Sequence, residues 1–120
     1  MTELAAGGAT YLVRRASRDD VAAIVALIAA DQIGAARDGG DLAPYERAFA
    51  AIDADPAQLL AVVTDAGDTV VGTLQLTFIP GLARRGALRA QIEAVRVRAD
   101  LRGTQDKRFY PELWEVRAAL

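Results

Sequence analysis

The sequence predicts an α+β domain in which one strand, two helices and three further strands follow one another, the last of them bulged. Two amphipathic helical stripes lie between residues 17 and 55, and apolar side chains recur at every second position in the later strands. That two-residue rhythm slips by one inside residues 88–98. A chain of 120 residues can bury roughly two-thirds of the surface its unfolded form exposes, so one domain is expected over residues 1–120.

Residues 1–10, rich in Gly and Ala, read as a loose tail, and Tyr11, Leu12 and Val13 as the first strand. Ser17 opens the first helix, with Asp20 in the capping-box position and Asp19 in the first turn, where the helix dipole favours negative charge. Val21, Ile24, Val25 and Ile28 follow at i, i+3, i+4 and i+7, with Leu27 widening the stripe, and the helix ends between Ala30 and Gly34. Residues 32–41 hold three glycines and read as a loop. Asp41 or Pro44 opens a second helix, whose Tyr45, Phe49 and Ile52 share a face before Asp55 and Pro56 close it. Residues 59–64 make a strand, 65–68 a turn and 69–79 the return strand of a hairpin. In the return strand Leu74, Leu76 and Phe78 face one way and Thr73, Gln75 and Thr77 the other, with a kink at Gly72. Pro80 and Gly81 end it, Arg84, Arg85 and Gly86 form a loop, and a last strand completes a three-stranded antiparallel meander.

That last strand is the most telling segment. Leu88, Ala90, Ile92 and Ala94 alternate with Arg89, Gln91 and Glu93, and then the apolar set jumps to Val95 and Val97 against Arg96 and Arg98. A strand has a strict side-chain period of two, so the jump requires an inserted residue, a β-bulge, which breaks the ladder and opens the sheet. With no chain expected to cover it, the strand would expose its ladder edge and the Val95 and Val97 face.

Composition removes several chemistries. The chain has no Cys and no His, which excludes disulfides, thiol nucleophiles, cysteine-ligated metals and a Ser-His-Asp triad; no metal is expected. Proton transfer near neutral pH falls to a carboxylate, a Tyr, the single Lys107 or water. A formal net charge of -2 offers no general attraction to nucleic acid or anionic lipid. No apolar run approaches the roughly 20 residues that cross a bilayer, and residues 1–10 lack the features of a secretory signal, so a cytoplasmic protein is expected.

The element order, the bulged strand and the run Val95, Arg96, Val97, Arg98, Ala99, Asp100, Leu101, Arg102, Gly103 together resemble the GCN5-related N-acetyltransferase (GNAT) superfamily. In that acyl-CoA N-acyltransferase-like fold, a bulged fourth strand leads into an Arg-Gly-x-Gly-x-Gly/Ala turn. The resemblance spans residues 11–103. Thr104, Gln105 and Asp106 stand where the remaining small residues and the next helix should begin, so the turn is about half present, and residues 104–120 form a divergent, shortened terminus. Within that terminus Arg108, Phe109, Tyr110 and Leu113 resemble a later Arg-Phe-Tyr motif of the family. The same stretch reads equally as an unrelated terminal helix, with Pro111 in its first turn and Leu113, Val116 and Leu120 on a packing face.

The resemblance implies transfer of an acetyl group from acetyl-CoA to an amine of a small molecule or peptide. Backbone N–H groups around Val95, Arg96 and Val97 would hold the acetyl carbonyl and pantetheine arm, and Arg102 and Gly103 the first part of the pyrophosphate cradle. Glu93 is the candidate general base; it reads otherwise as a solvated residue of the polar face. Tyr110 is the general acid if its segment is the Arg-Phe-Tyr motif, and otherwise a packing residue. Asp31, Asp38 and Asp41 lie in the connection that borders the acceptor site in the family, where they would attract a cationic amine or simply be solvated. Arg84 and Arg85 could grip an anionic group or serve only solubility. The incomplete turn implies weak acetyl-CoA binding. The alternative is a catalytically inactive interaction or dimerisation module, and a homodimer through the open strand is expected in either case.

Overall fold

A computed structural model describes residues 2–30 and 38–101. Its centre is a five-stranded sheet in the order β1-β2-β3-β4-β5, every neighbouring pair antiparallel. The strands are β1 (Thr2–Ala6), β2 (Ala9–Arg15), β3 (Gln58–Thr64), β4 (Val70–Ile79) and β5 (Arg89–Val97). Among the described residues two α-helices, α1 (Val21–Ala29) and α2 (Ala43–Ala54), lie between β2 and β3. This is the α+β order expected for residues 11–98.

The loose tail expected over residues 1–10 is instead a strand. Thr2–Ala6 pairs with β2 through five consecutive residue partners, from Thr2 opposite Val13 to Ala6 opposite Ala9. Gly7 and Gly8 make the turn at φ of 57° and 80°, the left-handed pair that two-residue hairpins need and that glycine adopts without a Cβ clash. Leu4 anchors the strand and is only 3% exposed. The first expected strand is therefore the second, and the bulged fourth strand is β5.

The start of α1 follows the capping signal. Asp20 Oδ2 accepts hydrogen bonds from the Ser17 backbone N–H at 2.7 Å and the Ser17 hydroxyl at 3.1 Å, closing a short 3₁₀ turn, Arg18–Asp20, that leads into α1. Arg14, at the end of β2, donates to both oxygens of the same carboxylate at 2.7 and 2.9 Å, which ties strand to helix. Asp41 Oδ1 accepts the Ala43 N–H at 3.0 Å and Pro44 occupies the first turn of α2. An exposed ion pair from Arg18 to Glu46 at 3.1 Å links the two helix starts.

The two faces of the sheet differ. Ile24 of α1 packs with Val62 and Ala16, joined by Ile28, Phe49 and Leu60, so both helices lie on the face that also carries Thr73 and Gln75. The opposite face gathers Tyr11 and Val13, Leu59, Ala61 and Val63, and Leu74, Leu76 and Phe78 into the larger core. Val97 is 7% exposed and belongs to this core, with Val95 packed against it, so the uncovered valine face expected from the sequence is a buried one. The kink expected at Gly72 is a bulge at the preceding residue: Val63 pairs with Gly72 and Thr64 with Val70, leaving Val71 as the extra residue. Among the described residues no helix is long and apolar enough to cross a membrane.

Candidate active site

The phase break in β5 is a bulge at the expected place. Glu93 pairs with Gln75 and Arg96 with Thr73, so Ala94 and Val95 together oppose Leu74. Ala94 sits at φ 53°, the left-handed conformation that one bulge class places at its first position and usually fills with glycine. An alanine there costs about 1 kcal/mol of backbone strain, which the flanking ladder sustains. Before the bulge, Ala90 and Ile92 lie opposite Phe78 and Leu76; after it, Val95 and Val97 return to that core face.

The bulge keeps Glu93 and Arg96 on the same face of the sheet, one on either side of the inserted residue. Glu93 shares the helix-bearing face with Gln75, yet it lies beyond the cover of the helices and is exposed, its Oε1 accepting from Gln91 Nε2 at 2.9 Å. Arg96 shares the face with Thr73, is half-buried, and donates to the Val95 carbonyl at 2.9 Å. Glu93 and Arg96 thus flank the interrupted stretch of ladder on one face, and Val95 and Val97 lie on the other. Arg102, Gly103 and Tyr110, and the acidic Asp31, lie outside the described residues. At the end of β5 the Arg98 backbone N–H donates to the Val71 carbonyl at 2.8 Å, while its side chain grips Asp100 at 2.6 Å in an exposed pair. The pair holds Asp100 below the usual carboxylate range, chiefly through the Arg98 hydrogen bond.

Beside the bulge, a cleft of about 160 Å³ opens between α1, α2 and the sheet. Ile24, Ile28, Phe49 and Ile52 wall it, Thr73 and Gln75 floor it, and Ala94 stands at the β5 side. The polar floor groups are already engaged. Thr73 Oγ1 donates to the Ala61 carbonyl at 2.9 Å, and Gln75 Nε2 donates to Gln58 Oε1 at 2.8 Å, an oxygen that also accepts from Thr77 at 3.0 Å. The sequence placed Thr73, Gln75 and Thr77 on one face but held no sign of the cleft, because helix separation is a tertiary property.

The acidic loop residues have structural duties. Asp41 Oδ1 accepts the Ala43 N–H at the start of α2, and Asp38 Oδ1 accepts the Tyr45 hydroxyl at 2.8 Å, while that hydroxyl accepts the Gly39 N–H at 2.9 Å. Asp38 and Asp41 therefore also hold the start of α2 in place. Arg84 and Arg85 are exposed at the β4–β5 turn, both in the left-handed region at φ 55° and 64°.

An antiparallel sheet whose bulged strand lies beside two helices on one face is the architecture of the acyl-CoA N-acyltransferase fold class. No family model and no curated protein matches the sequence. Solved structures do match. A transcriptional regulator from Bacillus halodurans C-125 is 33% identical at a TM-score of 0.75, the alignment covering 91% of this chain and 73% of the other. Glucosamine-6-phosphate N-acetyltransferase from Arabidopsis thaliana is 18% identical at a TM-score of 0.68, covering 91% and 75%. A predicted acetyltransferase from Clostridium acetobutylicum, crystallised with acetyl-CoA, is 15% identical at a TM-score of 0.62, covering 91% and 72%. The chain has the fold of the GCN5-related N-acetyltransferases.

Proposed function

We propose that the protein transfers an acetyl group from acetyl-CoA to an amine of a small molecule or peptide. The observation that carries this reading is the bulge at Ala94 and Val95, which interrupts the β4–β5 ladder beside an exposed carboxylate, Glu93, and an open cleft. Acetyl-CoA would supply the activated acetyl group. The interrupted ladder fits such a co-substrate, since bulges re-aim backbone amides that a regular ladder would occupy. Val95, Arg96 and Val97 would hold its acetyl and pantetheine portions by main-chain hydrogen bonds, and Arg102 and Gly103 would contribute to binding its pyrophosphate. Glu93 would take a proton from the acceptor ammonium, directly or through one water, and so present a neutral amine. Tyr110 would return a proton to the leaving thiolate.

A second reading is favoured by one comparison: the relative at 33% identity is named a transcriptional regulator rather than an enzyme. In that reading the fold is a non-catalytic interaction module. A thiol-release assay with acetyl-CoA and a panel of primary amines, run beside calorimetric titration of acetyl-CoA alone, separates the two. Amine-dependent thiol release with weak, near-millimolar acetyl-CoA binding supports the enzyme. Absence of both release and binding supports the module.

A further inference from the structure

We propose that the cleft between α1 and α2 receives the apolar body of the acceptor, a phenyl or branched alkyl group of about six carbons, so that the substrate is an apolar primary amine. The assignment rests on the transferase reading for the word acceptor, but the binding it describes does not depend on catalysis.

Three observations lead there. First, the apolar stripe of α2 is not sealed: Tyr45, Phe49 and Ile52 face the cleft, yet α2 has no buried residue, unlike α1 with its four. A helix normally closes its apolar face against a core, so a stripe left half-open toward a cavity is surface that a ligand can cover. Second, among the described residues no Asp, Glu, Lys or Arg lines the cleft, and Thr73 Oγ1 and Gln75 Nε2 on its floor donate within the sheet. A sugar or a second ammonium placed there would lose its water and gain few partners in return, which penalises polar acceptors. Third, Ala94 contributes to the lining and directly follows Glu93, so an apolar group seated between the helices can leave its amine at the bulge. Size sets the upper limit. An aliphatic cavity of about 150 Å³ holds a benzene ring, and the cleft has about 160 Å³.

The test uses the whole chain without acetyl-CoA. Titration with 2-phenylethylamine, followed by Ile methyl NMR signals and by calorimetry, is expected to shift the Ile24, Ile28 and Ile52 methyls and to bind at least about tenfold more tightly than spermidine or glucosamine. Ala48 lines the cleft from an exposed helical position, so Ala48→Trp should fill the space without unfolding α2 and weaken 2-phenylethylamine by about tenfold or more. Equal affinity for all three amines, or unshifted Ile methyls in the unaltered protein, overturns the assignment whatever the variant does. Binding of 2-phenylethylamine in the cleft without its acetylation sustains the assignment and overturns the transferase reading. Acetylation of spermidine or glucosamine with no preference for apolar amines sustains the transferase and overturns the cleft's role.

Discussion

Asp20 shows how one carboxylate can set a junction. It is 7% exposed and accepts from Ser17 and, through both oxygens, from Arg14, so it joins the end of β2 to the start of α1. The Arg14 hydrogen bonds, aided by Ser17, hold its carboxyl below the usual carboxylate range against the opposing effect of burial. A depressed folded-state value means that the stabilisation is fully present above the unfolded value of about 4 and is lost as pH falls through the folded one. Asp20→Asn should lower unfolding stability by about 1–3 kcal/mol near neutral pH, since it removes charge-assisted bonds and leaves Arg14 without its partner. In urea denaturation the gap between the two proteins should narrow as pH falls below about 4. A constant gap across that range would mean that the Asp20 charge contributes nothing.

At the scale of elements, what could be read from the sequence was what is local. The Ser17 and Asp20 pair, the α1 stripe, Pro44, and the slip between Ala94 and Val95 each encode their structure within a few residues, and each element appears where the pattern places it. The first strand was not legible, because Thr2, Glu3, Leu4, Ala5 and Ala6 include a single β-branched residue and only the Gly7-Gly8 pair marks the hairpin turn. The burial of Val97, the clamp from Asp38 to Tyr45 and the cleft depend on which elements meet, and no local pattern records that. Leu4 discriminates between tail and strand. Leu4→Ala should cost about 2–4 kcal/mol in thermal or urea unfolding if β1 is part of the core, whereas a truncation in a free tail would leave the midpoint unchanged.

For the whole molecule, the edge of the sheet and the bulge are the features that reach beyond one chain. Leu88 and Ile92 are 43% and 42% exposed beside and within β5, the last strand in the described sheet. The proposed homodimer would cover them by isologous contact, and Ile92 is a better probe than the buried Val97 because lysine there need not disturb the core. Sedimentation velocity at high micromolar concentration should show a dimer for the unaltered protein and a shift to monomer for Ile92→Lys. A monomeric unaltered protein would remove the pairing. Glu93, next to the bulge, is proposed as the proton acceptor of the reaction. The most direct measurement is the pH dependence of turnover for the unaltered protein and Glu93→Gln, with acetyl-CoA and the best amine at saturation. The expected result is a turnover lower by about 10²-fold in the variant, a weakened acid limb and an acetyl-CoA affinity unchanged within about twofold. Equal turnover and identical pH profiles, with chemistry rate-limiting, would contradict it.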